Sequence, residues 1–213
     1  ALFSFINESN GSSSPTNFAI LNGKLYFRAY TPTHGNELWV YNGSGNPSLV
    51  ADINTGNSSS YPEDLTVMNN KLFFSASDGS NGSELWVYNG SGSPTMIADI
   101  NSGAANSDPQ ELIVFNDKLY FSAKDGSRGR ELWVYDGIGA PSLVKDILKG
   151  GLSSNPSYLT IFNDKLYFSA HEGGGGTEPW VYTSSGFLRR IKDISTGGTS
   201  SLPSHFTVFK DKL

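Results

Sequence analysis

The stretch ASDGSNGSELWVYNGSG, residues 76–92, decides the fold because a near-copy, AKDGSRGRELWVYDGIG, occupies residues 123–139. The copy begins 47 residues later, and other positions keep that interval along the whole chain without insertion or deletion. They include Lys24, Lys71, Lys118, Lys165, Lys212, Trp39, Trp86, Trp133 and Trp180. Such regularity is typical of units that stack identically. The sequence therefore predicts one repeat domain over residues 1–213, with a partial unit at 1–24 and full units at 25–71, 72–118, 119–165 and 166–212.

Each unit predicts four short strands. LTIF (159–162) is followed by the dipeptide ND, which favours a tight hairpin turn, and then by KLYFSA (165–170). The third strand is ELWVY (131–135) and the fourth lies in PSLVKDI (141–147). No segment shows a helical period.

The alternation within the third strand predicts how the units pack. In ELWVY (84–88), Leu85 and Val87 face one way while Trp86 and Tyr88 face the other, so both faces are apolar or aromatic. A sheet that is apolar on both faces must lie between two neighbours. We therefore expect an all-β fold, a β-propeller whose blades are the four-stranded units of 47 residues.

The closure of this propeller is open to three interpretations. The chain starts with LFSFI (2–6), which matches the fourth strand, and ends with FTVFKDKL (206–213), which matches the first strand and its turn. Five-fold closure is favoured, and a four-bladed ring or an open array cut from a longer protein are the alternatives. Strand exchange between chains, giving a homo-oligomer or filament, would also complete the split unit.

The motifs ELWVYDG, LVKDI and NDKLYFSA resemble a bacterial repeat of the pattern ELWxxDGT…LVKDI. Repeats of this kind are similar to kelch-type propeller repeats in large secreted or cell-surface proteins, including cyanobacterial ones. The resemblance implies an extracellular or cell-surface location and no established catalytic residue. The pattern is broken at Ile138, and by EPW and YTSSG in the fourth full unit.

Composition excludes several classes of function. The formal net charge is −5 with no basic tract, which argues against a nucleic-acid partner. No apolar run is long enough to span a membrane. The chain has no cysteine, so it has no disulfide and no thiolate nucleophile.

Two sets of residues are candidates for binding. A tryptophan two residues after a glutamate in every unit suggests repeated sugar sites, although interblade packing is the stronger interpretation; these residues are Glu37, Trp39, Glu84, Trp86, Glu131, Trp133, Glu178 and Trp180. The second set comes from two columns that differ between units, at 30, 77, 124 and 171 and at 17, 64, 111, 158 and 205. They point to Tyr30, His171 and Tyr158 as contacts for a non-symmetric ligand.

Two loops carry paired carboxylates that suggest calcium. Asp78 with Glu84, and Asp125 with Glu131, lie six residues apart in glycine-rich loops, and calcium prefers oxygen ligands. The alternative is that each aspartate caps its own turn. No cofactor is required by the sequence.

We therefore expect a non-enzymatic extracellular recognition or assembly module that binds a glycan or a surface protein through its loops. A structural array that polymerises through its incomplete blade is one alternative. A hydrolase with its site on one propeller face is the other, disfavoured because no unit carries a distinct Asp, Glu or His cluster.

Overall fold

The computed structural model describes residue 6, residues 11–210 and residues 212–213, and its regular structure is entirely β. Within these residues, sixteen strands form four four-stranded sheets. Blade 1 contains β1 (Thr16–Leu21), β2 (Lys24–Thr31), β3 (Gly35–Tyr41) and β4 (Ser48–Ala51); blade 2 contains β5 (Glu63–Met68), β6 (Lys71–Ser77), β7 (Ser83–Tyr88) and β8 (Thr95–Ala98). Blade 3 contains β9 (Gln110–Phe115), β10 (Lys118–Lys124), β11 (Arg130–Tyr135) and β12 (Ser142–Lys145); blade 4 contains β13 (Ser157–Phe162), β14 (Lys165–His171), β15 (Thr177–Thr183) and β16 (Leu188–Arg190).

Each sheet is an antiparallel meander in chain order. The turn between the first two strands of a blade places both of its residues in the left-handed region, as at Asn69 (φ 48°) and Asn70 (φ 60°). This is the tight hairpin turn that asparagine and aspartate favour. The four predicted strands per unit are therefore confirmed. In the described part of the chain, no helix is long and apolar enough to cross a membrane.

The chain divides into two compact units, Ala1–Gln110 and Glu111–Leu213. In the first unit, Phe74 and Trp86 of blade 2 share a core cluster with Tyr26 and Leu38 of blade 1. Both blades thus bury apolar faces against each other, which explains why neither face of ELWVY is polar.

The second unit repeats this packing between blades 3 and 4. Phe168 and Trp180 of blade 4 lie in one cluster with Tyr120 and Leu132 of blade 3. The predicted β-propeller of four-stranded blades is confirmed, and its five-fold closure stays a prediction. Of LFSFI, all but Ile6 lies outside the described residues.

Candidate functional site

A buried glutamate at the start of the third strand fixes the connection that follows each blade. The Glu84 carboxylate accepts hydrogen bonds from the backbone N–H of Ile100 (2.9 Å), the N–H of Ser107 (2.9 Å) and the Ser107 hydroxyl (2.6 Å). The same contacts occur in every blade. We call the set the glutamate latch; its pairs are Glu37–Ser60, Glu84–Ser107, Glu131–Ser154 and Glu178–Ser201.

The latch corrects the prediction of sugar sites at the Glu–Trp pairs. All four glutamates are 0% exposed and their oxygens are occupied, so no ligand hydroxyl reaches them. The tryptophans are buried too: Trp133 is 7% exposed and its Nε1 donates to the Ala123 carbonyl (3.0 Å). Ligand binding is therefore excluded on geometric grounds at Glu37, Trp39, Glu84, Trp86, Glu131, Trp133, Glu178 and Trp180.

Burial perturbs the latch carboxylates. It raises the pKa of Glu37, Glu84 and Glu131, and the hydrogen bonds from the serine and the backbone oppose this rise. At Glu178 the desolvation is outweighed by hydrogen bonds from Ile194 and Ser201, and the pKa is lowered. These shifts arise from a structural role, since every latch carboxylate holds its own connection.

In each carboxylate pair suggested for calcium, the aspartate and the glutamate accept different sets of hydrogen bonds. Asp78 accepts from the N–H groups of Ser80 (2.8 Å) and Asn81 (2.9 Å), and Asp125 caps its own loop in the same way, while Glu84 and Glu131 belong to the latch. Burial is the largest single influence on the pKa of both aspartates and raises it, but the hydrogen bonds together outweigh burial, so the pKa of each aspartate is lowered. Within the described residues no three His, Asp or Glu side chains form a group that could hold a metal. The hydrogen bonds support the turn-capping alternative for Asp78 and Asp125, and calcium binding stays a prediction.

One variable column of the repeat has an unusual backbone in every blade. We call it the bulge column, and it consists of Asn17, Asp64, Glu111, Tyr158 and His205, with φ values of 55°, 54°, 60°, 57° and 52°. In blades 1, 2 and 4 the pairing of the first strand shifts register at this point. A non-glycine residue held left-handed costs on the order of 1–3 kcal/mol and is common at functional sites. Bulges likewise re-aim side chains.

In the first unit the bulge column lies beside a charged group. The Arg28 guanidinium pairs with the Glu63 carboxylate (2.5 Å), donates through Nε to the Thr16 hydroxyl (3.1 Å), and lies 6.0 Å from the centre of the Tyr61 ring. Tyr61 is 57% exposed. The group therefore offers a cation, a carboxylate and an exposed aromatic ring next to Asp64.

In the second unit, two of the three column residues are aromatic. The rings of Tyr158 and His205 lie 4.8 Å apart at an angle of 43°, and Tyr158 is 37% exposed. Glu111 accepts a hydrogen bond from the N–H of Leu159 (3.2 Å), which links blade 3 to the bulge of blade 4. Side chains of the column thus contact the next repeat, whereas the sequence presented them as separate loop positions.

The other variable column lies at the end of the second strand of each blade. Tyr30 is 37% exposed, and the N–H groups of Tyr30 and His171 are bound to the carbonyls of Ser13 and Ser154. Both side chains remain candidates. The sequence reasoning missed Arg28, which takes the place of the buried Ser75, Ser122 and Ser169; comparing the repeats position by position would have found it.

No family model and no curated protein matches the sequence. Among solved structures, the chain is similar to the β-propeller domain of the Trilobed protease from Pyrococcus furiosus, with a TM-score of 0.56, 9% identity and coverage of 87% of this chain and 56% of that one. It is also similar to a Mycobacterium tuberculosis puromycin-hydrolyzing peptidase (TM-score 0.55, 13% identity, 91% and 30%) and to Pyrococcus horikoshii acylaminoacyl peptidase (0.50, 9%, 83% and 27%). The chain thus spans little over half of the first protein and under a third of the other two.

These likenesses support the fold and correct the functional expectation. At this level of identity they establish the β-propeller alone. All three proteins are peptidases or parts of one, so the expectation of a non-enzymatic recognition or assembly module is contradicted and the hydrolase alternative is better supported. The bacterial-repeat resemblance and the extracellular location stay predictions.

Proposed function

We propose that this chain is the β-propeller of a peptidase and that its bulge column contacts the peptide substrate. The proposal is supported by the peptidase propellers with which the chain shares its fold. The single observation that carries it is the bulge column, because the same strained backbone is kept in five repeats while the side chain changes at each. Within each unit, a constant backbone with differing side chains suits recognition of a substrate segment.

The chemistry of the bulge column and of the residues beside it suits a peptide. In the first unit, Arg28 offers guanidinium donors to a carboxylate or a backbone carbonyl, and Glu63 is an acceptor for an amide or ammonium group. In the second unit, the Tyr158 and His205 rings form a surface on which an apolar side chain can pack. The latch glutamates take no part, since they are buried and fully engaged.

The test is a kinetic measurement on the protein isolated from its source through an antibody to this chain, with substitutions introduced in its gene. Cleavage of a defined peptide mixture is followed by mass spectrometry of the new amino termini. We expect Arg28→Ser, which restores the residue of the other blades, and Tyr158→Asn each to raise KM at least fivefold while kcat stays unchanged. This split is the signature of lost substrate binding.

The matched control is Ile138→Ser, in the turn between β11 and β12, where the side chain is 81% exposed. It should leave both constants unchanged. The proposal fails if no peptide is cleaved, or if Arg28→Ser and Tyr158→Asn behave like this control.

A further inference from the structure

Residues 201–210 reproduce the left-handed backbone positions that open a blade. Leu202 (φ 50°), His205 (φ 52°) and Lys210 (φ 46°) are left-handed, as are the equivalent residues of blade 4, Asn155 (φ 49°) and Tyr158 (φ 57°) among them. Phe209 and Lys212 form a bridge at the place of the first hairpin turn. The segment therefore has the conformation of a first strand.

Blade 4 anchors this segment through its own latch. The Glu178 carboxylate accepts from the N–H (3.0 Å) and the hydroxyl (2.7 Å) of Ser201. The N–H groups of Ser201 and Leu202 also reach the carbonyl of Thr177. The segment is thus held where the earlier latches hold β5 and β13.

No second strand pairs with residues 204–209 in the part of the chain that the structure describes. Phe209 is 68% exposed, and the Lys210 ammonium lies 5.3 Å from the centre of its ring. The equivalent residues Leu21 and Phe115 are 1% and 3% exposed, because each is buried in the core cluster that its blade shares with the next one. In blade 4 the equivalent Phe162 is half-buried.

The face of the blade 4 sheet that carries Ile191 and Ile194 is also left partly uncovered. Ile191 is 39% exposed and Ile194 is 59% exposed. Their equivalents in blade 1, Val50 and Ile53, pack against the core that blade 2 completes. In blade 3, the equivalents Val144 and Ile147 pack against the core that blade 4 completes. Blade 4 thus presents an apolar face of a kind that is elsewhere covered by a neighbouring blade.

The complete blades show what chemistry covers such a face. The covering side chains come from the second and third strands of the next blade: Leu72, Phe74, Ala76 and Trp86 over blade 1, and Leu166, Phe168, Ala170 and Trp180 over blade 3. These residues alternate along two antiparallel strands. The occupant of an equivalent slot is therefore defined by its sequence pattern.

We propose that residues 204–210 and the exposed face of blade 4 form a slot that binds a β-hairpin of the pattern K-L-x-F-x-A, loop, E-L-W-x-Y. The first strand of the hairpin pairs with residues 204–209. Its Leu, Phe, Ala and Trp side chains cover Ile191 and Ile194. The binding is backbone pairing on an open edge with apolar side chains setting specificity. This inference is independent of the peptidase proposal.

The probe is a fluorescein-labelled synthetic peptide with the sequence of residues 118–135, which contains the complete pattern. Its binding to the full chain is measured by fluorescence anisotropy, and the mass of the chain by light scattering across a concentration series. We expect saturable binding of one peptide per chain. A peptide with alanine in place of its tryptophan should bind at least tenfold more weakly.

Variants of the chain locate the site. Ile194→Asp should weaken binding at least tenfold without unfolding the chain, because the side chain is already mostly exposed. The matched control is Ile20→Asp; Ile20 is 69% exposed and its equivalents Val67 and Ile161 are exposed in complete blades as well. This control should bind the peptide as the parent does.

Two results would overturn the proposal. Absence of saturable binding, or equal losses in Ile194→Asp and Ile20→Asp, would show that the slot does not select this hairpin. A chain that doubles its mass and loses this association in Ile194→Asp would show that the face is covered by a second copy instead.

Discussion

The glutamate latch and the bulge column both repeat every 47 residues, but the latch keeps the same side chains whereas the bulge column keeps the same backbone conformation. The latch keeps its side chains: a glutamate and a serine recur in every blade with the same hydrogen bonds. The bulge column keeps its backbone: φ stays between 52° and 60° while the side chain passes through Asn, Asp, Glu, Tyr and His. A repeat protein can thus hold one feature constant for stability and vary another for binding.

The two features also differ in the free-energy cost that each carries. A buried carboxylate is tolerated because several donors compensate it, so its loss leaves those donors unsatisfied. A left-handed tyrosine has no such compensation within its own backbone, so its replacement relieves strain. The two regions should therefore respond in opposite directions to substitution.

The largest expected effect is in the latch. Glu131→Ala leaves the N–H groups of Ile147 and Ser154 and the Ser154 hydroxyl without their acceptor, so we expect a loss of roughly 3 kcal/mol in the free energy of unfolding. Urea unfolding followed by tryptophan fluorescence measures it. As a control, Glu63→Ala removes a carboxylate that is 52% exposed and should cost less than about 1 kcal/mol. Equal losses in the two variants would show that the buried latch carboxylate contributes no more to stability than an exposed carboxylate.

An intermediate effect of opposite sign is expected in the bulge column. Tyr158→Asn should raise the free energy of unfolding by about 1 kcal/mol, because asparagine tolerates the left-handed region better than tyrosine. The reverse exchange, Asn17→Tyr in blade 1, should lower it by a similar amount. Thermal unfolding of both variants gives the comparison. If Asn17→Tyr is neutral, the column is not strained.

The smallest effect is a change in pH dependence within the latch itself. The pKa of Glu84 is raised above the ordinary value of 4.5, so its contribution to stability is greatest below that pH and is lost as pH rises through the folded pKa. The pKa of Glu178 is lowered, so its contribution is present above pH 4.5 and is lost as pH falls through the folded pKa. Unfolding midpoints between pH 3 and 7 should show that Glu84→Gln and Glu178→Gln change the slope in opposite senses. Parallel curves would contradict this.

The sequence predicts the blades because two patterns agree. The interval of 47 residues establishes the repeat, and alternation in segments such as ELWVY establishes strands with two apolar faces. The asparagine and aspartate dipeptides then place the hairpin turns. All three signals are local, so they can be extracted from one sequence.

The candidate site could not be predicted in the same way. Glu84 lies in β7 and Ser107 lies 23 residues later in the connection to the next blade. Both residues recur in every repeat, but recurrence alone does not show that the two side chains are in contact. The left-handed backbone of Tyr158 has no signal in the side chain, because tyrosine disfavours it. The column was visible only as variation, and its contacts, such as the rings of Tyr158 and His205, arise between repeats.

The glycines at the two ends of a blade differ in the space that surrounds them. At Gly129, between β10 and β11, a Cβ atom would clash with the carbonyl oxygen of Leu152, because this loop packs directly against the connection that leaves the blade. At Gly137 and Gly139, between β11 and β12, a Cβ atom would meet nothing within 4 Å. An insertion that would clash in the loop between β10 and β11 can be accommodated in the turn between β11 and β12. We expect that an insertion in the turn between β11 and β12, such as a fluorescent tag, an epitope or an extra domain, would leave both the latch and the bulge column undisturbed. This turn is therefore a suitable attachment point for reporters of the protein in its source.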